Sequence, residues 1–382
     1  MRSQPCHHRV VVSIDPAFLR EVAEVLGSRY VLVDPDVVAG YTADWTGRFR
    51  GSTPAVLRPG STEEVAAVIG LCRRYEVALA LQGGNTGLSG GAVPLAGEVV
   101  CSLTRLSTLE VDQVSGQATA SAGVPIARLQ AAAAAAGWAY GVDLASRGTA
   151  TVGGSVATNA GGIRVLRYGD TRAQLLGVSA VLGTGQVVSR LGGLLKDATG
   201  YDLAGLLCGS EGTLGVVTAA RLRLVPPSHH RVVALLAFDA PADALAGAGT
   251  LRAAVPSLSA LELFFASGMA LVRHHFKLAD PFARPHLAYL LAEAEGVHDP
   301  TDELAQGVDA VVSVADVAVA QGRDQAAGLW RYREGHSEAI ASRGTPHKLD
   351  ISVPLAALPE FVERVGPVVA SLRPRAEVWL FG

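Results

Sequence analysis

Gln82-Gly-Gly-Asn-Thr-Gly-Leu-Ser-Gly-Gly91 and Thr151-Val-Gly-Gly-Ser-Val-Ala-Thr-Asn-Ala-Gly-Gly162 are the stretches whose reading decides the fold. Both are crowded with glycine and with short Ser, Thr or Asn side chains. A backbone of this kind can approach a ligand closely and aim N–H groups at phosphate oxygens, with hydroxyls and amides adding further bonds. Two such stretches in one chain predict a large phosphate-bearing ligand, of dinucleotide size, in a long cleft. Taken alone, the first also reads as a tight connector, the weaker of the two readings. A third cluster, Gly209-Ser-Glu-Gly-Thr-Leu-Gly215, shifts the weight towards a binding site.

Working outward, residues 55–58 read as a strand and Pro59-Gly60 as a turn. Ser61 and Glu64 then form a capping box, and Val65, Val68, Ile69 and Cys72 give the stripe of a helix reaching about Tyr75. A strand over 77–81 runs into the first glycine stretch. This is a β-α-β unit with its loop at the carboxyl end of a strand, where open α/β sheets bind ligands. Strands follow at 99–103 and 118–122, then a helix at 125–136 ended by Gly137. A hairpin at 177–182 and 186–189 and a strand at 216–224 complete this part, and Pro226-Pro227 closes it. Beyond the prolines, strands at 231–238, 258–264 and 286–294 alternate with helices at 242–254 and 266–275, an α+β pattern with an antiparallel sheet. A helix over 321–341, a strand over 349–353, a helix marked by Leu358, Phe361, Val362, Val365, Val369 and Leu372, and a strand over 377–381 end the chain.

The bulk numbers fit this division. A chain of 382 residues can bury two cores, and 49% hydrophobic with 18% charged residues excludes disorder. The net charge of −3 points to neither nucleic acid nor an anionic membrane surface. Lysine is scarce (Lys196, Lys277 and Lys348), so a lysine near a site carries weight. Cys6, Cys72, Cys101 and Cys208 show no metal-ligand spacing and read as reduced thiols of a cytoplasmic protein, with Cys72 and Cys101 in the core. No secretory segment or transmembrane run is apparent. G-x-x-x-x-G-K-[ST] is absent, which excludes a P-loop, and the lack of a G-x-G-x-x-G joining strand to helix argues against a nicotinamide-binding Rossmann fold.

The series Arg58-Pro-Gly-Ser-Thr-Glu63, the two glycine stretches and the third cluster together resemble the FAD-binding domain of the vanillyl-alcohol-oxidase superfamily, with its PCMH-type fold. Within it, the chain is most similar to the D-2-hydroxyacid dehydrogenase branch, which includes D-lactate and D-2-hydroxyglutarate dehydrogenases and the glycolate oxidase flavin subunit. The resemblance implies an α+β protein: a helical lead-in over 1–50, a two-subdomain FAD-binding domain over 51–227 and a substrate (cap) domain over 228–382. It implies that Gly83, Gly84, Asn85, Thr86, Gly87 and Ser89 hold the FAD pyrophosphate. Ser146, Gly148, Thr151, Gly153, Gly154, Ala157, Thr158 and Asn159 would line the ribityl chain and flavin ring. Glu211, Gly212 and Val216 would lie near the flavin and adenine. Some relatives carry in the first loop a histidine bonded to the flavin; Asn85 stands there, so FAD is expected to be non-covalent.

The same resemblance assigns Arg333, Ser337 and Lys348, in Trp330-Arg-Tyr-Arg-Glu-Gly-His-Ser-Glu338 and His347-Lys-Leu-Asp-Ile351, to a clamp for the substrate carboxylate. On the helix pattern alone, Arg333 and Glu334 are ordinary exposed charges. The family's metal, a divalent ion such as zinc, is held by an H-x-G-D-G-N-x-H box that also supplies a base. None of the ten histidines lies in such a box, and the pairs His7-His8, His229-His230 and His274-His275 read as surface or domain-joint residues. Trp379-Leu-Phe-Gly382 resembles the residues just before the box, so the cap domain is expected to be C-terminally incomplete, without metal ligands or an assignable base. The expected chemistry is oxidation of a D-2-hydroxy acid to a 2-oxo acid by hydride transfer to flavin N5, with a quinone or electron-transfer protein as acceptor and a possible homodimer. The alternative is a flavin-binding fragment, or a partner-dependent flavoprotein, with little turnover.

Overall fold

Ser61 Oγ accepts the Glu64 N–H at 3.2 Å, and the Glu64 carboxylate reaches back to the Gly60 N–H at 2.6 Å. The capping box therefore starts the Thr62–Arg74 helix where the spacing predicts, and Val65, Val68, Ile69 and Cys72 are its buried stripe. In the computed structural model, which describes residues 14–344 and 346–382, this helix connects two strands of a four-stranded sheet. The strands are β1 (Val31–Leu32), β2 (Val56–Leu57), β3 (Leu79–Gln82) and β4 (Val99–Ser102), in the order β1-β2-β4-β3. Both β2 and β3 run parallel to β4, so β3 delivers its carboxyl end directly to the first glycine stretch.

A second sheet is wholly antiparallel. Its strands β5 (Leu109–Asp112), β6 (Gln117–Ser121), β7 (Leu175–Leu182), β8 (Val187–Arg190) and β9 (Gly215–Arg223) take the order β5-β6-β9-β7-β8. Ile126 and Leu129 of the Ile126–Ala135 helix share a core with Ala120, Val178, Val217 and Leu222 of this sheet. These elements belong to one compact unit that ends at Pro227, with Val165–Arg167 excepted.

The second unit holds Val165–Arg167 and Ser228–Gly382. Strands β10 (His230–Phe238), β11 (Leu258–Phe265), β12 (Ala288–Gly296) and β13 (Asp316–Val319) form an antiparallel sheet ordered β11-β12-β10-β13. Alternation divides its side chains between two faces. One face carries Leu236, Phe238, Leu290 and Ala292 against Leu251 and Leu304 of the Pro241–Ala254 and Thr301–Asp309 helices. The other carries Glu262 and Glu293 towards the Arg323–Glu334 helix.

Three of the elements expected from the sequence come out differently. The helix expected over 321–341 is two that abut at Gly335, Arg323–Glu334 and His336–Ala341; Gly335 keeps helical angles, and an added Cβ there would lie 2.7 Å from the Phe276 ring and 2.9 Å from Val272. Residues 349–353 form no strand. Their apolar alternation finds no partner strand, and Leu349 and Ile351 stay exposed. The terminal strand reduces to a bridge, in which Gly382 and Leu263 exchange backbone hydrogen bonds at 2.5 and 2.9 Å beside the Phe264–Phe381 pair.

Replacing Ser61 by Ala removes the cap and is expected to cost about 1 kcal/mol of stability. Urea unfolding followed by far-UV dichroism checks this; an unchanged midpoint would show that the cap contributes nothing.

Candidate functional site

In the first unit, the glycine stretches meet through atoms that are missing. An added Cβ on Gly84 would collide with the Thr149 carbonyl, and one on Gly83 with the Thr151 hydroxyl. A strap formed by residues 41–52 braces the other side of the first stretch. Gln82 donates to the Tyr41 carbonyl at 3.1 Å, Asn85 Nδ2 to the Ala43 carbonyl at 2.8 Å, and the Phe49 ring packs on Gly90. Asp44 knots the strap by accepting the Thr46 hydroxyl and the Phe49 N–H.

Held in this way, the first stretch cannot satisfy its own backbone. From Gly83 to Ala92 no amide N–H donates to an acceptor among the described residues, and the Thr86 and Ser89 hydroxyls are likewise unengaged. A succession of unpaired, fixed N–H dipoles is an anion-binding arrangement.

The second stretch is built differently. It forms the Val152–Thr158 helix, and its first amides are already committed: Val152 to the Val124 carbonyl, Gly153 to Ala122, and Gly154 to the Thr151 hydroxyl. Asn159, at the left-handed carboxyl cap, donates to Asp170 at 2.7 Å and accepts the Arg172 N–H at 2.9 Å. Thr158 donates back to the Gly154 carbonyl. Ser146 and Gly148 lie in the loop leading into Thr151, Gly148 exposed and Ser146 half-buried, while Ala157 is half-buried on the helix.

The third cluster finishes that helix. Gly209 N–H donates to the Val156 carbonyl, which also takes the Asn159 N–H, and Glu211 N–H donates to Ala157, so the third cluster covers carbonyls of the last turn. A cleft of about 600 Å³ is lined by Gly91, Glu211, Gly212 and Val216 together with Leu81 and Val181. Gly91 is the one residue of the first stretch on this cleft, and the Thr62–Arg74 helix and β3 supply much of the remaining lining, from Ile69 to Leu81. Each cluster also holds one non-glycine residue in left-handed conformation: Asn85, Asn159 and Glu211.

In the second unit, Ala326, Trp330 and Arg333 recur at helical spacing on the Arg323–Glu334 helix. Trp330 Nε1 donates to the fully buried Glu293 carboxylate at 2.8 Å, which anchors that face to the sheet. Arg333 follows one turn later, with Nε 2.5 Å from Glu262 and Cζ 4.7 Å from the centre of the Phe381 ring. Burial pushes the Glu262 carboxyl above its usual range, opposed by the neighbouring Arg333 guanidinium. Arg333 is therefore a little-exposed, paired cation rather than a free helix charge. Ser337 and Lys348 are exposed, and no contact joins either to Arg333. Sequence reasoning missed Glu262, although a lone acid in the apolar strand Leu258-Ser-Ala-Leu-Glu-Leu-Phe-Phe265 was a usable signal.

The His229-His230 and His274-His275 pairs are exposed, whereas His7 and His8 fall outside the described residues. His336, by contrast, is fully buried between Phe264 and Phe381, with Nδ1 3.0 Å from the Arg333 carbonyl. No group of three or more His, Cys, Asp or Glu among the described residues is placed to hold a metal. Cys72, Cys101 and Cys208 are buried free thiols, and burial lifts Cys72 and Cys101 to about 12. No helix among the described residues is long and apolar enough to cross a membrane.

Known proteins resemble the chain over both of its units. Residues 53–190 match the family model described as an FAD binding domain, and residues 227–380 that of the C-terminal domain of FAD linked oxidases. A D-2-hydroxyglutarate dehydrogenase of Xanthomonas citri pv. viticola is 38% identical over 376 residues, covering 96% of this chain and 78% of that protein. The mitochondrial D-2-hydroxyglutarate dehydrogenases of Arabidopsis thaliana and Bos taurus are 35% and 38% identical over 375 and 356 residues. These matches cover 95% and 91% of this chain but only 65% and 64% of those proteins. Among solved structures, an alkyldihydroxyacetonephosphate synthase aligns with a TM-score of 0.69 at 20% identity, covering 86% of this chain and 64% of that one. A 4-ethylphenol oxidase from Gulosibacter chungangensis aligns with 0.67 at 20% identity, covering 87% and 73%. At these identities the structural likeness speaks for the fold alone, a PCMH-type flavoprotein architecture.

Burial depresses His336 from 6.5 to about 4. Below 6.5 the unfolded chain takes up a proton that the folded chain refuses, so this contribution to stability is present above that value and is lost as pH falls towards 4. Urea midpoints measured at about pH 7 and about pH 5 should fall more steeply for the wild type than for His336→Phe. Equal slopes would exclude His336 as the acid-sensitive group.

Proposed function

This chain belongs to the FAD-linked oxidase family that includes the D-2-hydroxyglutarate dehydrogenases, and from that premise we propose that it oxidises a D-2-hydroxy acid of the 2-hydroxyglutarate type to the 2-oxo acid, using non-covalently bound FAD. The observation that carries the reading is the run of unpaired amides from Gly83 to Ala92. A pyrophosphate needs donors and no neighbouring negative charge, and this stretch offers free N–H groups and two hydroxyls and carries no carboxylate. The residues present therefore fit the cofactor.

In this reading Gly83, Gly84, Asn85, Thr86, Gly87 and Ser89 hold the pyrophosphate, Asn85 through its backbone because its side chain braces the strap. Ser146, Gly148, Thr151, Gly153, Gly154, Ala157, Thr158 and Asn159 form the wall for the flavin, with the polar atoms of Thr151 and Asn159 shaping that wall from inside. Glu211, Gly212 and Val216 border the cleft for the rest of the dinucleotide. Bound FAD supplies the hydride acceptor, flavin N5, and a separate quinone or electron-transfer protein receives the electrons. Arg333 fixes the substrate carboxylate by charge-assisted hydrogen bonds, with Ser337 and Lys348 as further donors, so that the Cα–H is presented in one orientation. The buried free thiols support a reducing compartment such as the cytoplasm.

Under anaerobic conditions D-2-hydroxyglutarate should bleach the flavin of the reconstituted protein and the L-enantiomer should not. A protein that stays yellow with every D-2-hydroxy acid overturns the proposed activity. Gly84→Ala should be purified with little or no flavin, because its Cβ has no room beside Thr149. Acid precipitation should leave the FAD in the supernatant. Arg333→Ala should raise the substrate concentration for half-maximal bleaching by about 30-fold or more with flavin content unchanged.

A further inference from the structure

Glu262 is a second, independent constraint on the guanidinium of Arg333. Its carboxylate takes the Nε–H from the edge at 2.5 Å, while the Phe381 ring lies 4.7 Å from Cζ. The two side chains are only 12% and 19% exposed, so the pair is held in a poorly solvated place. Among the described residues, Arg333 Nη1 and Nη2 donate to no protein group.

A guanidinium can grip a carboxylate end-on, through both terminal nitrogens, or side-on, through Nε and one of them. Glu262 occupies the side-on position. We propose that Glu262 is a positioning residue for substrate recognition: it locks Arg333 so that Nη1 and Nη2 form an end-on fork for the carboxylate of the 2-hydroxy acid, and it closes the side-on alternative. The inference rests on the clamp role given to Arg333 above. A fork ordered in advance spares the substrate the ordering of a long, flexible side chain. Pairing also leaves neither charge buried alone before the substrate arrives.

The opposite possibility is that Glu262 sits in the substrate's place and competes with it. The two predict opposite signs. Calorimetric titration of the FAD-loaded full chain with 2-oxoglutarate reads binding without requiring turnover. Four variants are compared with the wild type: Glu262→Ala, Glu262→Gln, Glu262→Asp and Arg333→Ala. Glu262→Ala should weaken binding about tenfold, and Glu262→Gln, which keeps an acceptor for Nε–H, should restore it to within about threefold. Flavin content should stay at the wild-type level in both, which separates positioning from a general loss of structure. Should Glu262→Ala not fold, Glu262→Asp makes the same test: its carboxylate is withdrawn by one methylene and binding should fall several-fold. Binding equal to or tighter than the wild type in Glu262→Ala or Glu262→Asp overturns the proposal. Wild-type binding by Arg333→Ala removes the clamp itself, so that arm distinguishes failure of the functional reading from failure of the role of Glu262.

Discussion

The first unit depends on a contact between backbones. Gly83 and Gly84 press against Thr149 and Thr151 so closely that neither position can carry a side chain without something shifting. That closeness keeps the first stretch from curling on itself, and the strap at 41–52 holds it from the other side. Free amides are the result. The left-handed conformations of Asn85, Asn159 and Glu211 cost roughly 1–2 kcal/mol each. They persist because each residue is tied by a bond of its own, to Ala43, to Asp170 and to Ala157 respectively.

In the second unit the organising constraint is the desolvation of carboxylates. Glu262 and Glu293 stand on the sheet face that the Arg323–Glu334 helix covers, and neither can be buried without a donor. Trp330 meets Glu293 and Arg333 meets Glu262, three residues apart on one helix face, so two acids set the rotation of the helix about its axis. The arginine of the proposed clamp is thus placed by the same interactions that hold the helix to the sheet. Structure and recognition share one set of contacts.

Much of this was legible from local signals. Ser61 and Glu64 announced a helix, Pro226-Pro227 lies where the first compact unit ends, and the apolar runs at 231–238 and 258–264 announced antiparallel strands. The short strands β5 and β13 were missed because four residues without clear alternation resemble a loop. The close packing at Gly335 was invisible because the Phe276 and Val272 side chains that crowd it lie some 60 residues away in sequence. At the site, glycine content marked all three clusters alike. Only the structure separates a stretch whose amides are free from one whose amides are capped and one that does the capping. The partner of Arg333 was equally hidden, since a pairing across 71 residues leaves no periodicity.

The stretch from Gly83 to Ala92 contains no ionisable side chain. Its attraction for an anion comes from peptide dipoles and the Thr86 and Ser89 hydroxyls, whose strength does not change as histidines or cysteines titrate. Retention of a diphosphate there should therefore be nearly flat with pH over the range in which the fold itself survives. Charge-altering substitutions within the loop have nothing to delete. The site is vulnerable to added volume instead: a single methyl group in the wrong place does what no loss of charge can do.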